Sequence, residues 1–333
     1  MRIVILGAGA IGCFVGGAWL ASGLDVRLIG RRRVADEIAV HGLRLTDWSG
    51  LDIALPAAAV PFSTSPEALS QADLVVVAVK GTGTATAGDE IARHAPADAA
   101  VLSLQNGISH IDRLGAALPG RTVLRGIVGY NVARTGPGHW HRGTSGRLMV
   151  ERHPMVQDLA RRLSATPGAL ELTDDALGLA WGKLLLNLNN AVNALSGRTL
   201  REELSQRPYR RVLAASMREA LEVLAAAGIR PAKVSPLPPG LLPGFIGLPD
   251  FIFNPVGLRL QKIDAHARSS MADDFATDRA TEIDFLNGEI VRLAAQVGQA
   301  APINERIVRL VKEAESGGRR DWPGEELVRA VLG

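Results

Sequence analysis

Over the first 130 residues, short continuous apolar runs alternate with amphipathic or small-residue stretches. Residues 2–6, Arg-Ile-Val-Ile-Leu, have the length and β-branched content of a buried parallel strand. The small and apolar residues from Cys13 to Ala21 follow as a helix, and Gly23-Leu24-Asp25 turns the chain into a second strand over 26–29. Further apolar runs at 73–80 and 100–104 repeat the pattern, and strands alternating with helices imply a parallel sheet. Strands over 122–133 and around 145–151, interrupted by Thr135-Gly-Pro-Gly138, read as extra antiparallel strands at the sheet edge. From about residue 173 the period becomes helical: 181–195, 207–228 closed by Gly228, a helix reaching about Val297 with Thr281 as its cap, 302–315, and a shorter helix near Glu325. Prolines at 231, 236, 238, 239, 243, 249 and 255 forbid a long helix there. The expectation is an α/β domain over 1–172 and an all-α domain over 173–333, with 231–255 as a proline-rich insertion serving as a pocket lid or an oligomer contact.

The chemistry starts in the first turn. Gly7, Ala8, Gly9, Ala10, Ile11 and Gly12 form Gly-x-Gly-x-x-Gly directly after a strand and before a helix, the context a dinucleotide fingerprint requires. The helix N-terminus then offers N–H groups and partial positive charge to a pyrophosphate. The α/β domain is therefore expected to be a Rossmann dinucleotide-binding domain. An NAD site places Asp or Glu at the end of the second strand to bond the ribose 2′-hydroxyl. Here that strand ends in Gly30-Arg31-Arg32-Arg33, and Asp25 stands at its start, the wrong end. A guanidinium suits a 2′-phosphate, so NADP(H) is expected, with Arg31 as the main contact. Lys80 at the close of the third run and Asn106 in Gln105-Asn106-Gly107-Ile108 fall at strand carboxyl ends, where ligands of open α/β sheets sit.

In the helical half, Lys183, Asn187 and Asn190 fall within about 60° of one another on a continuous helix. The helix is otherwise apolar enough to be buried, and such a stripe would be costly without partners, so it is read as lining a polar pocket. Asn189 and Asn193 point elsewhere and read as structural. His139 and His141 flank Trp140 without a third ligand nearby, so they read as edge-strand residues and no metal is expected.

Composition narrows the classes. The 37 basic residues are interleaved with 34 acidic ones, net charge is +3 and aromatics make up 4%, which argues against a nucleic-acid partner. No uninterrupted apolar run is long enough for a membrane span, and the opening strand carries no charged-then-apolar leader, so neither a span nor a signal peptide is expected. A single cysteine, Cys13, fits a reducing, cytoplasmic setting and packing beneath the nucleotide turn.

Taken together, Gly-Ala-Gly-Ala-Ile-Gly at 7–12, Lys80, Gln-Asn-Gly-Ile at 105–108, Trp-x-Lys-Leu-x-x-Asn at 181–187, Ser-Ser-Met at 269–271 and Thr-Glu-Ile-Asp-x-Leu-Asn-Gly at 281–288 make the chain resemble the ketopantoate reductase family (2-dehydropantoate 2-reductase) over nearly its whole length. The resemblance implies a Rossmann domain followed by a 6-phosphogluconate dehydrogenase C-terminal-like helical domain. It implies NADPH-dependent reduction of 2-dehydropantoate to (R)-pantoate, on the way to pantothenate and coenzyme A. It also implies Lys183 as general acid, Glu282 working beside it and beside the cofactor ribose, Asn106 contacting cofactor and substrate, and Asn187 and Ser270 holding substrate. A free lysine titrates near 10.4, and a nearby Glu282 would help keep Lys183 charged. The family's second asparagine, two turns after the lysine and usually followed by Pro, is here Ala191, with Asn190 one residue earlier. The alternative is thus a reductase of a different 2-oxo or branched oxo acid on the same plan. A non-catalytic NADP(H) sensor would be expected to lack the lysine or the glutamate. The apolar 241–253 stretch is suited to a homodimer contact, one of the two roles left open for the proline-rich segment.

Overall fold

The opening apolar run becomes β1 (Arg2–Leu6), the central strand of the first of two units. The structure, a computed structural model, describes residues 1–261 and 267–333 and divides into Met1–Ala176 and Leu177–Gly333. Each unit has its own logic.

In the first, β1 leads through α1 (Ala10–Ala21) to β2 (Asp25–Ile29), α2 (Arg32–His41), β3 (Leu43–Asp47), β4 (Asp52–Leu55), β5 (Phe62–Ser63), β6 (Leu74–Val77), α3 (Thr84–His94), β7 (Ala100–Ser103) and α4 (His110–Ala117). Then follow β8 (Val123–Val128), β9 (Val132–Gly136), β10 (His139–Arg142), β11 (Leu148–Glu151), α5 (Pro154–Leu163) and β12 (Leu170–Thr173). Eight strands lie in the order β12-β11-β8-β7-β6-β1-β2-β5, all neighbours parallel except β11 against β8. The order reverses at β1, the switch point outside which doubly wound sheets bind ligands. Central strands are apolar on both faces (Ile3, Val4 and Ile5 are fully buried) because helices cover both sides.

Two sequence expectations need correcting here. The run at 73–80 ends as a strand at Val77, and Lys80 instead precedes a 3-10 turn at Gly81–Gly83. Of the supposed edge strands, only β11 joins the main sheet antiparallel. β9 and β10 belong to a second sheet, β4-β3-β10-β9, in which β10 is an interior strand parallel to β3. Its Trp140 shares a core with Leu43 and Leu45 of β3 and with Cys13, Phe14 and Ala18 of α1, so α1 is covered by both sheets. His139 Nε2 and His141 Nδ1 each lie 2.8 Å from Thr46 Oγ1, a polar clasp between β10 and β3. Burial pushes the Cys13 thiol far up, and it packs as a hydrophobe.

The second unit comprises α6 (Ala176–Asn187, which starts at the boundary), α7 (Asn189–Ser196), α8 (Leu200–Leu204), α9 (Arg207–Ala226), α10 (Leu242–Ile246), α11 (Asp250–Gln261), α12 (Ser270–Ala276), α13 (Asn287–Gln296), α14 (Pro302–Glu315) and α15 (Gly324–Leu332). The expected continuous helix at 181–195 is broken at Leu188, within a run of asparagines that hold helix poorly. Pro255 sits inside α11 despite the expectation from proline density. The first turn is closed by bonds from Ile252 and Phe253 to the Pro249 carbonyl, and buried Phe253 packs against Phe245 and under the Arg210 guanidinium. Packing outweighs the one backbone bond the proline removes. Among the described residues no helix is long and apolar enough to cross a membrane.

Candidate functional site

In the first unit the residues singled out from sequence gather at the carboxyl ends of four adjacent strands. The loops are stitched together by backbone bonds. Gly7 and Ala8 donate to the Ile29 carbonyl at 3.0 and 2.8 Å, Ala78 donates to Leu6 at 2.8 Å, and Leu104 donates to Val77 at 2.9 Å. The turn after β1, the arginines after β2, Lys80 after β6 and Asn106 after β7 thus form one rim.

The turn fits a pyrophosphate. Gly7 has φ +111°, and a Cβ there would meet the Val79 amide nitrogen at 2.6 Å. At Gly12 a Cβ would stand 2.0 Å from the Gly7 carbonyl oxygen, so only glycine lets α1 begin this close to the turn. Gly9, by contrast, is exposed and would point a Cβ into open space, with nothing within 4 Å. The first bond of α1 runs from Cys13 to the Gly9 carbonyl, leaving the N–H groups of Ala10, Ile11 and Gly12 ahead of it, and no side chain caps the helix.

Among the three arginines, Arg32 is paired with Asp36 at 2.8 Å; the Glu37 carboxyl, which burial pushes up, is held below its ordinary range by Arg134 and the Gly138 amide, with Arg33 as a lesser contributor. Arg31, exposed at the N-cap of α2, has no ion pair among the described residues. Lys80 is exposed and Asn106 half-buried.

In the second unit, Lys183 and Asn187 lie one turn apart on α6, while Asn190 sits beyond the Leu188 break on α7; all three are half-buried. Burial lowers Lys183 from 10.5 to about 8, and Glu282 works in the opposite direction. The carboxylate therefore does help keep the amine charged, but burial is the larger effect. Glu282 is not in the first turn of a helix. It precedes a 3-10 turn at Ile283–Phe285, and α13 begins only at Asn287. Thr281 caps no α-helix; its hydroxyl accepts from the Ile283 amide at 3.3 Å, and its own amide donates to Glu315.

Ser270 is the exposed first residue of α12. Its neighbour Ser269, which sequence reasoning passed over, caps that helix by accepting from the Ala272 amide. It also donates to the Asn190 carbonyl at 3.1 Å, and its amide donates to Asn193 Oδ1 at 2.9 Å. The start of α12 is thereby fastened to α7. Asn189 donates to Glu203 at 3.1 Å, and Glu203, wholly buried, is pushed up to about 8 by burial. The Thr199-x-x-Glu202 capping box beside it was readable from spacing; the burial of Glu203 was not. Also unforeseen is a buried cluster in which Asn304 Oδ1 accepts from Ser216 and Asn287, while Asn304 Nδ2 donates to Glu219. It anchors α13 just after the Glu282 turn. Among the described residues no group of three His, Cys, Asp or Glu is placed to hold a metal.

Comparison with known proteins follows this division. Residues 3–154 match the family described as "Ketopantoate reductase PanE/ApbA" and residues 175–315 its counterpart "Ketopantoate reductase PanE/ApbA C terminal". The 2-dehydropantoate 2-reductase of Halobacterium salinarum is 29% identical over 96% of this chain and 100% of its own. A crystal structure of a PanE/ApbA family ketopantoate reductase from Ralstonia eutropha superposes with TM-score 0.79 at 31% identity, over 95% of this chain and 99% of that one. A D-mandelate dehydrogenase in complex with NADH and anilino(oxo)acetate shares the fold, with TM-score 0.79 at 22% identity, over 95% of this chain and 99% of that one.

Proposed function

The chain belongs to the ketopantoate reductase family, and from that premise we propose that it reduces 2-dehydropantoate to (R)-pantoate with NADPH. As an oxidoreductase of this family it uses a nicotinamide dinucleotide. The observation that carries the reading is the pairing of a half-buried, charge-capable Lys183 with Glu282 in one unit, alongside a pyrophosphate-fitting turn in the other. Gly7–Gly12, Arg31, Lys80 and Asn106 hold the dinucleotide, with Glu282 at its ribose; Asn106, Asn187, Asn190 and Ser270 hold the keto acid. When bound, NADPH supplies hydride to the carbonyl carbon. Negative charge then grows on the carbonyl oxygen, and the Lys183 ammonium stabilises it and releases a proton to it. In this reading the setting is the cytoplasm, and the exposure of Leu241, Phe251 and Ile252 supports the 241–253 stretch as a contact for a second copy.

The test is NADPH oxidation with 2-dehydropantoate against a panel of other 2-oxo acids. The expected result is the highest kcat/KM for 2-dehydropantoate; a clearly better acid in the panel would replace it as the substrate. A second reading is favoured by one observation: Ala191, where the family carries asparagine, is fully buried and offers the substrate no hydrogen bond. That reading keeps the chemistry and changes the acid.

The fold does not choose the dinucleotide, since D-mandelate dehydrogenase carries NADH on it. In our reading Arg31 does. Arg31→Asp is expected to lower the preference for NADPH over NADH by about 10- to 100-fold, the worth of a charge-assisted pair replaced by repulsion. Kd values for both dinucleotides measure it, and an unchanged ratio removes Arg31 from the 2′-phosphate.

A further inference from the structure

Within the first unit, the two loops carrying Lys80 and Asn106 are braced together by side chains that the proposed chemistry does not use. The brace centres on Thr84, the buried first residue of α3. Its hydroxyl donates to the Gly81 carbonyl at 2.8 Å, on the loop after Lys80. Gln105 Nε2 donates to the same oxygen at 2.8 Å, and His110 Nδ1 lies 2.9 Å from it. Gln105 is fixed at its other end, where Oε1 accepts from Ser103 Oγ at 3.0 Å. His110 is buried too, and its Nε2 lies 2.7 Å from the Asn106 carbonyl oxygen. A carbonyl only accepts, so Nε2 carries a proton, and the single Thr84 hydroxyl proton is contested between the Gly81 carbonyl and His110 Nδ1. Asn106 is thereby held from both sides: by its neighbour Gln105, and through its own carbonyl by His110.

Gly107, next in the chain, has φ +105°, so the Asn106 peptide is set by a turn that the sheet does not enforce. A turn this short needs such bonds to hold one orientation.

We propose that Thr84, with Gln105 and His110, is a positioning device that fixes Asn106 and the Lys80 loop as one rigid rim, so that the Asn106 carboxamide is already aimed when the keto acid binds. The inference rests on the reading that Asn106 touches cofactor and substrate. None of the three brace residues contacts the reacting atoms in it; they act through Asn106. Pre-set geometry of this kind governs turnover more than cofactor affinity, since small misplacements at the reacting centre are costly while the pyrophosphate grip lies elsewhere.

Thr84→Val keeps the shape and deletes the hydroxyl. Kcat for keto-acid reduction is expected to fall about 10-fold or more, with Kd for NADPH within about threefold and a fold that is retained with a Tm lower by a few degrees. Thr84→Ser should restore turnover, and Gln105→Leu should repeat the loss. In an Asn106→Ala background Thr84→Val should cost nothing further, because the two share one route. Normal kcat in Thr84→Val, or a fully additive loss with Asn106→Ala, overturns the proposal while leaving the Asn106 reading intact. Normal activity in Asn106→Ala alone overturns that reading, and the proposal with it.

Discussion

Replacing Lys183 with alanine is expected to cut turnover by at least about 100-fold, the low end for loss of a general acid, while NADPH still binds. The amine is half-buried on α6, and that burial brings it to about 8 against the opposing pull of Glu282. Below that value the ammonium dominates and a proton is available; above it the amine is neutral and can neither stabilise the oxyanion nor protonate it. Keto-acid reduction should therefore fall as pH rises through about 8, and this limb should vanish from the residual activity of Lys183→Ala. Stability moves the other way. The folded value lies below that of a free lysine at 10.5, so the unfolded chain binds more protons between about 8 and 10.5, and the contribution of Lys183 to stability rises with pH across that window. Activity and stability thus carry opposite pH signatures from one group. Steady-state rates and thermal melts over that range measure both. A Lys183→Ala enzyme with near-normal kcat, or one keeping the alkaline limb, would take the lysine out of the mechanism. Glu282→Gln removes an influence that raises Lys183, so the limb should move to lower pH in that variant.

The same residues show where sequence reading stops. The glycine turn, the arginines after β2 and the helix at Pro302–Glu315 were legible because each is a local rule: a backbone restriction, a charge at a fixed offset, a period of 3.6. The break at Leu188 was not, since periodicity carries across it and the Leu188 amide still bonds the Leu184 carbonyl. What distinguishes α7 from α6 is tertiary: Asn189 tied to Glu203, Asn193 to Ser269. Glu282 was assigned to a helix because Thr-Glu looks like a cap and first turn, but Glu315, 34 residues downstream, claims the Thr281 amide and delays the helix to Asn287. The strands β9 and β10 had the right pattern for an edge of the main sheet; that β10 pairs with β3, and β9 with β10, instead is a long-range choice made by Trp140 joining the core on α1. His110 and Thr84 look unremarkable along the chain and Gln105 stands out only as the neighbour of Asn106, and only the spatial meeting of two strand ends makes them a cluster. Buried polar groups are the class least visible in sequence, because their partners decide whether they are tolerated.

Gly12→Ala is expected to damage the first unit twice over, in stability and in dinucleotide affinity. The added methyl would fall 2.0 Å from the Gly7 carbonyl oxygen and 3.2 Å from Ile5 Cγ2, and neither neighbour has room to yield. The turn is held by two amides on the Ile29 carbonyl, and Ile5 is fully buried in the central strand. Nor is α1 loose, since Cys13, Phe14, Ala18 and Trp19 are all buried in the same core. Overpacking of this kind costs about 1–3 kcal/mol, a Tm lower by roughly 2–10 °C for a unit of this size. Relief comes from tilting the first turn of α1 outward, which carries the Ala10 and Ile11 N–H groups away from the pyrophosphate and should weaken NADPH binding by about 100-fold. Gly9→Ala separates the two effects. Its φ of −89° suits alanine and its Cβ meets nothing, so Tm should hold. In our reading the space it fills belongs to the pyrophosphate, so NADPH affinity should still drop about 10-fold or more. Thermal melts and NADPH titration of the two variants decide the matter. If Gly9→Ala binds NADPH as tightly as the unaltered chain, the phosphates do not lie over this turn, and the whole assignment of the first unit must be moved elsewhere on the rim.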